Sequence, residues 1–275
     1  MTEKILQHLK VKRSLPTLEY LQELMTAYCS TVPWESVSKI VKKTLCDKTT
    51  NCLRLEDEFW TSAFQYGTGG TCYESSWAFF CFLQDLGFDG YLTINKIIDK
   101  SSVHSAIVIV IGDKKYIVDI GYPTYAPIPV IEERVTVSDT FPLQYRCSPI
   151  SSKEYIIENF PHPKPYLYHL TDVPVNPTDY LEMASKDYGE CGLFSDRIII
   201  RKMINKVPTR FDSEDIPYNI HTLQNGEKVK TFINDEDLIE RLSDYFILNR
   251  KIINQAFVIL NKTNAQQRLA NTPAK

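Results

Sequence analysis

The chain has 275 residues, 43% of them hydrophobic and 24% charged, with a formal net charge of −3. That length supplies a sizeable core, and the slightly acidic balance excludes a broad basic field for nucleic acid or a membrane surface. No apolar run approaches the roughly 18 residues of a membrane span, and the start, Met1 to Leu6, lacks a signal peptide's apolar core and cleavage site. Seven cysteines, an odd number with no Cys-x-x-Cys spacing, point to reduced thiols in a cytoplasmic protein rather than a disulfide framework or a zinc site.

The chain up to about Gly87 reads as helical. Leu18, Leu21, Leu24 and Met25 recur at helical spacing after Pro16-Thr17, and Pro33 closes that helix. The run Gly67-Thr68-Gly69-Gly70-Thr71 then turns into Cys72 and the apolar stretch from Trp77 to Leu83, with Gly87 placed as the C′ residue. Cys72 therefore falls in the first turn of a buried helix. Unpaired N–H groups and positive partial charge gather there, and a thiol in that place loses its proton more readily. The plain alternative is a small residue that merely packs, which is how Cys81, between Phe80 and Phe82, is read.

From Tyr91 to about Ile200 the pattern switches to strands, at 91–98, 104–111, 116–120, 154–158, 166–170 and 198–200. Ten prolines from Pro123 to Pro177, Pro142 among them, punctuate this region, as in an antiparallel barrel or sandwich. The runs 104–111 and 116–120 flank Gly112-Asp113-Lys114-Lys115 and read as a hairpin. A loop centred on Gly112-Asp113 sets Asp119 opposite Ala106, with His104 its diagonal neighbour on the same face. Asp119 interrupts an apolar strand, where a buried carboxylate requires a partner, and His104 is the nearest candidate. A lone histidine at a strand start is commonly structural. Cys72, His104 and Asp119 together have the parts of a nucleophile, a base and an orienter. His162 and His169 lie in a proline-rich segment and read as loop and strand residues, so no metal is expected. Near the end, Asn234-Asp235 caps a helix with Leu238, Ile239, Leu242, Tyr245 and Phe246 on one face, and the polar tail 261–275 is expected to fray.

The segments Gly69-Gly70-Thr71-Cys72-Tyr73-Glu74, Val103-His104 and Val118-Asp119-Ile120-Gly121-Tyr122 resemble the signature of the arylamine N-acetyltransferases. Val32-Pro33-Trp34-Glu35-Ser36-Val37, Tyr166 to Leu170 with Asp179-Tyr180, and the helix at Asp235-Glu236-Asp237-Leu238 extend the resemblance over most of the chain. The His-to-Asp interval of fifteen residues matches the family, while the Cys-to-His interval is somewhat shorter. The resemblance implies an α+β fold with a Cys-His-Asp core. Its parts would be a helical bundle over 1–88, an antiparallel β-barrel over 89–203 and a small α/β lid over 204–275. It also implies ping-pong transfer of an acetyl group from acetyl-CoA, through an acetyl-cysteine, to an arylamine, arylhydrazine or N-hydroxyarylamine. Cys72 would accept the acetyl group, His104 exchange the protons and Asp119 orient the imidazole. Thr71, Tyr73, Tyr122 and Phe194 would border the acceptor pocket. Val103, Gly121 and Pro123 would lie on the CoA side, with the loop from Gly121 to Pro127 at its pyrophosphate. Lys114, Lys115, Arg201, Lys202, Lys206 and Arg210 are the cations available to CoA phosphates, and each alone reads as a solvated strand-end or turn charge.

Three departures from the signature stand out. Thr68 replaces the family's arginine although Glu35, from the block that usually pairs with it, remains, so a buried Glu35 needs another partner. Thr71 replaces an aromatic residue before the cysteine, and Pro123 removes a backbone N–H from the CoA loop. The same Cys-His-Asp order serves transglutaminase-like enzymes, thiol proteases and amide synthases with other acyl donors. The matches outside the triad, at Val32 to Val37 and Tyr166 to Tyr180, favour the acetyltransferase. A degenerate, non-catalytic relative is disfavoured by the intact triad and favoured by Thr68 and Pro123. The natural acceptor, acyl-chain preference and oligomeric state are left open.

Overall fold

A computed structural model describes residues 1–97, 103–140, 143–189 and 192–270. Ile98, Pro142 and the tail residues 271–275, named in the sequence reading, lie outside the described residues. The first layer holds α1 (Thr2–Leu9), α2 (Leu18–Thr31), the short strand β1 (Trp34–Glu35), α3 (Val37–Thr44), α4 (Glu56–Tyr66) and α5 (Cys72–Asp85). Thr17 caps α2 by accepting the Tyr20 N–H at 3.2 Å, and Leu21, Leu24 and Met25 are fully buried. Helix α5 ends at Asp85 with Leu86 as its C-cap, followed by Gly87 at φ +90°, as its place after the apolar run requires.

The chain then builds an eight-stranded antiparallel sheet from β2 (Asp89–Lys96), β3 (Val103–Ile111), β4 (Lys114–Val118), β5 (Ile128–Val130), β6 (Thr136–Asp139), β7 (Gln144–Ser151), β8 (Glu154–Phe160) and β9 (Tyr166–Thr171). The order β5-β4-β3-β2-β9-β8-β7-β6 brings first and last strands together. There the Thr136 hydroxyl donates to the Pro129 carbonyl, and the Ser138 hydroxyl donates to that of Pro127 at 3.0 Å. Side-chain bonds thus nearly close the sheet into a barrel, which removes most of its free edge. Helix α5 packs its buried residues against β2 and β3.

After α6 (Pro177–Lys186), capped by Asn176, a second sheet forms from β10 (Ile199–Ile204), β11 (Val207–Asp212), β12 (Asn219–Gln224) and β13 (Glu227–Phe232). Its order is β1-β10-β11-β12-β13, so the run at 198–200, expected among the barrel strands, instead joins β1 to the C-terminal sheet. An apolar run specifies burial but not the sheet that supplies it. Helices α7 (Leu238–Phe246) and α8 (Arg250–Ala270) cover this sheet through Leu242, Phe246, Ile253 and Ala256. Two expectations change here. Asn234 makes no side-chain capping bond, and a 3-10 turn at Asp235–Asp237 leads into α7, with Tyr245 off the buried face at 42% exposed. The segment 261–270 continues α8, because Ile253, Ala256 and Leu260 anchor the preceding turns at helical spacing. Among the described residues no helix is long and apolar enough to cross a membrane.

Candidate active site

Cys72 is the first residue of α5 and is only 8% exposed. The register of β3 with β4, Ile107 opposite Val118 and Ile111 opposite Lys114, is the one derived from a Gly112-Asp113 turn. Carried one residue further, it sets Asp119 beside Ala106. His104 Nε2 meets Asp119 Oδ2 at 2.7 Å, with both side chains buried. Asp119 is fixed in turn by the Tyr122 N–H on Oδ1 at 2.7 Å and by the Thr124 N–H on its carbonyl at 2.8 Å. Burial works against charge on His104. The Asp119 carboxylate, by charge and hydrogen bond, and then the Cys72 sulfur outweigh it and push the imidazole up to about 10. With Nε2 given to Asp119, Nδ1 is the nitrogen left for the sulfur.

Close approach is what the glycines permit. A Cβ on Gly121 would lie 2.6 Å from Cys72 Cβ and 3.1 Å from His104 Cε1. A Cβ on Gly69 would lie 1.7 Å from the Pro33 carbonyl oxygen, where β1 bridges to Gly70. Glu35, fully buried, answers the question raised by the missing arginine. Its carboxylate accepts from the Ser38 N–H at 2.8 Å, the Ser38 hydroxyl at 2.5 Å and the Gly69 N–H at 3.0 Å. Thr68 itself bonds the Ser62 hydroxyl at 2.6 Å.

An arginine is nevertheless present, delivered by another segment. Arg54 is 4% exposed and places Nη2 2.8 Å from the Gly69 carbonyl and 2.5 Å from Glu74 Oε2. Glu74 Oε1 also accepts the Arg54 N–H at 2.9 Å and the Tyr188 hydroxyl at 2.5 Å. This buried cluster grips the chain on both sides of Cys72. Burial opposes the guanidinium's charge, and Glu74 more than offsets it. On the other flank, Tyr180 donates its hydroxyl to the Tyr73 carbonyl at 2.8 Å and accepts from Ser105 at 2.6 Å, tying α5 to the residue after His104.

Of the other sequence-derived residues, Tyr122 sets its ring edge-on to the imidazole at 5.6 Å. Thr71 is buried at the N-cap of α5 without a side-chain capping bond. Tyr73 packs against Tyr180 at 5.6 Å, and Phe194 stands edge-on to Trp34 at 5.0 Å. Val103 opens β3 opposite Lys96. Around Pro123, which has no N–H, those of Tyr122, Thr124 and Ala126 are already spent on Asp119 and Thr124. The candidate CoA cations divide. Lys114 and Lys206 are exposed, but Lys115 pairs with Asp172 at 2.7 Å, Arg210 pairs with Asp212, and Lys202 is buried with Nζ 3.0 Å from the Phe246 carbonyl. Solvated charge describes the first two, and Lys115 in part, its side chain being 41% exposed. Sequence reasoning missed Arg54, which no local pattern marks. It also missed Tyr168, whose ring lies 4.7 Å from the imidazole and which strand alternation from Leu170 sets on the same face. Among the described residues no group of three or more His, Cys, Asp or Glu is arranged to hold a metal.

A helical layer on a nearly closed antiparallel barrel, with a cysteine at the seam beside a buried His–Asp pair, is the build of a thiol acyltransferase. Residues 17–252 match the N-acetyltransferase family model, and the chain belongs to that family, the arylamine N-acetyltransferases. No curated protein sequence matches it. Among solved structures it is similar to an arylamine N-acetyltransferase of Bacillus cereus described with a Cys-His-Glu catalytic triad (20% identity, TM-score 0.70, covering 90% of this chain and 98% of that one). It is also similar to that of Salmonella typhimurium (16%, 0.77, 94% and 97%). A third likeness is to that of Mycobacterium marinum in complex with CoA (15%, 0.76, 93% and 98%). At these identities the likeness establishes the fold.

Proposed function

We propose that the protein is an acetyl-CoA-dependent N-acetyltransferase acting on arylamines, arylhydrazines or N-hydroxyarylamines through an acetyl-Cys72 intermediate. The observation that carries this reading is the buried His104–Asp119 pair, 2.7 Å apart, beside Cys72 in the first turn of α5. His104 stands beside the sulfur as the base that takes its proton when it attacks. The thiolate attacks the thioester carbonyl, the C–S bond to CoA breaks, and His104 gives its proton to the departing CoA sulfur. CoA then leaves. An arylamine attacks the acetyl-cysteine, neutral His104 takes the proton from the amine nitrogen, and Cys72 departs as thiolate, restoring the starting pair.

The third residue here is Asp119, one methylene shorter than the glutamate described for the Bacillus cereus protein. The low exposure of Cys72 and His104, 8% and 2%, supports a site that limits the access of water to an acyl-cysteine. The Mycobacterium marinum complex supports CoA as carrier of the acyl group. The six described cysteines are all unpaired, which fits the reducing cytoplasm.

Incubation with acetyl-CoA, intact mass measurement and peptide mapping test the proposal. One acetyl group on Cys72, discharged by an arylamine or hydrazine, is expected. Cys72→Ala should form no adduct while keeping the wild-type melting temperature, and turnover by that variant would overturn the reading.

A further inference from the structure

Cys46 and Cys52 are brought together by the turn that precedes the segment carrying Arg54. Five residues separate them, and Thr49–Asn51 winds into a 3-10 turn that returns the chain on itself. The Cys46 thiol donates to the Asn51 carbonyl at 3.2 Å, against the peptide bond that leads into Cys52. The Cys52 thiol donates to the Lys48 carbonyl at 3.5 Å inside the same turn, and its N–H donates to the Thr49 carbonyl at 3.1 Å. The two sulfurs are neighbours as well. After burial, the Cys46 thiol is what pushes Cys52 up, to about 11, against the ammonium groups of Lys42 and Lys43 at the end of α3. For Cys29, Cys81 and Cys147 the leading neighbour after burial is a carboxylate or a hydroxyl instead.

The pair differs in access. Cys46 is partly exposed, whereas Cys52 is only 2% exposed. That asymmetry sets the order of thiol–disulfide exchange. The Cys46 thiolate attacks one sulfur of a low-molecular-weight disulfide, breaking its S–S bond and releasing one small thiolate. Cys52 then loses its proton and attacks Cys46 Sγ, and the second small thiolate leaves. Each leaving thiolate takes up a proton lost by a cysteine, so two protein thiols and one small disulfide become one protein disulfide and two small thiols. The bond requires Cα atoms about 4.4–6.8 Å apart, a separation that a turn this short enforces. The half-exposed Cys46 supplies the movement, because Leu53 holds the chain next to Cys52 on the hydrophobic core.

We propose that Cys46 and Cys52 form a reversible dithiol–disulfide site, closed by a small disulfide of the glutathione kind, and that closure fastens the strap bearing Arg54. Arg54 lies two residues beyond Cys52. Its N–H donates to Glu74 Oε1 at 2.9 Å and its Nη2 to the Gly69 carbonyl at 2.8 Å, on either side of Cys72. The turn between the two cysteines rests against α6. The new bond ties the strap to the end of α3 and removes open conformations through which Arg54 lets go of Glu74. A reducing compartment keeps the pair open, and a shift in its thiol–disulfide balance closes it.

A Cys72→Ala background keeps the reactive thiol out of the readout. The protein is incubated with glutathione disulfide, its remaining thiols are alkylated, and it is mapped by mass spectrometry without reduction. A Cys46–Cys52 link, with loss of two hydrogens and reversal by dithiothreitol, is expected. Glutathione that stays on Cys46 beside a free Cys52 overturns the proposal, and so does the absence of reaction at both. Cys46→Ser, changed at the more exposed member, should leave Cys52 unmodified, and Cys52→Ser should retain glutathione on Cys46. Glutathione on Cys52 in the first variant, or none on Cys46 in the second, overturns the order of attack. Closure should slow hydrogen exchange at the Arg54 amide by about 10-fold and raise the melting temperature by about 2–5 °C, with neither change in Cys46→Ser. Equal exchange in the reduced and oxidised protein overturns the link to Arg54.

Discussion

His104 on the eight-stranded sheet and His221 on the five-stranded one are both buried, at 2% and 6% exposed, yet their surroundings push them in opposite directions. His104 has a carboxylate in direct contact and is pushed up to about 10. His221 is pushed down to about 4, by burial first and then by Lys228 and Arg210, with Asp215 only at 3.8 Å to oppose them. Burial alone disfavours the imidazolium at both places. The neighbours decide the sign. The barrel sets a carboxylate against its imidazole, whereas the second sheet surrounds His221 mainly with cations.

Removing the carboxylate breaks this contrast most directly. Asp119→Asn should slow acetylation of Cys72 by about two to four orders of magnitude, measured by stopped-flow or quench and mass analysis. Near-wild-type acetylation would sink the assigned role of Asp119. Arg54→Met comes next, because it strands Glu74 as a buried charge; a loss of about 3–5 kcal/mol is expected in denaturant melts. Adding Glu74→Gln to it should restore part of that loss, and no recovery would argue against Arg54 acting through Glu74. Gly121→Ala forces a methyl against Cys72 and should cost about 1–3 kcal/mol and slow acetylation.

The pH dependence is the smallest effect and tests the histidines themselves. His104 is raised in the folded state, so its contribution to stability is complete below its ordinary 6.5 and is lost as pH rises toward about 10. His221 is lowered, so the unfolded chain binds the extra proton between about 6.5 and about 4, and stability falls as pH drops through that window. Melting temperatures against pH should therefore lose part of their alkaline slope in His104→Gln and part of their acid slope in His221→Gln. Identical profiles in all three proteins would remove the distinction.

Much of the candidate site was legible because it depends on short-range rules. Strand parity across Gly112-Asp113 is set by the pleat and the turn, and it predicted the His104–Asp119 contact from the chain alone. The glycine run before an apolar helix placed Cys72 at a helix start for equally local reasons. Glu35 illustrates the boundary, since its need for a new partner followed from Thr68, but the choice of Ser38 and Gly69 did not.

Sequence by itself determined the largely helical nature of the first layer and the register of the hairpin, and it marked Cys72, His104 and Asp119 as a candidate set. Only the tertiary structure decided that Arg54 takes hold of Gly69 and Glu74, that β10 leaves the barrel for β1, and that Arg201 is caught between Trp34 and Tyr122. Those contacts join residues far apart in the chain. Backbone geometry prescribes neighbours a few residues away, whereas distant partners are chosen by which surfaces bury together and which charges are left inside when they do.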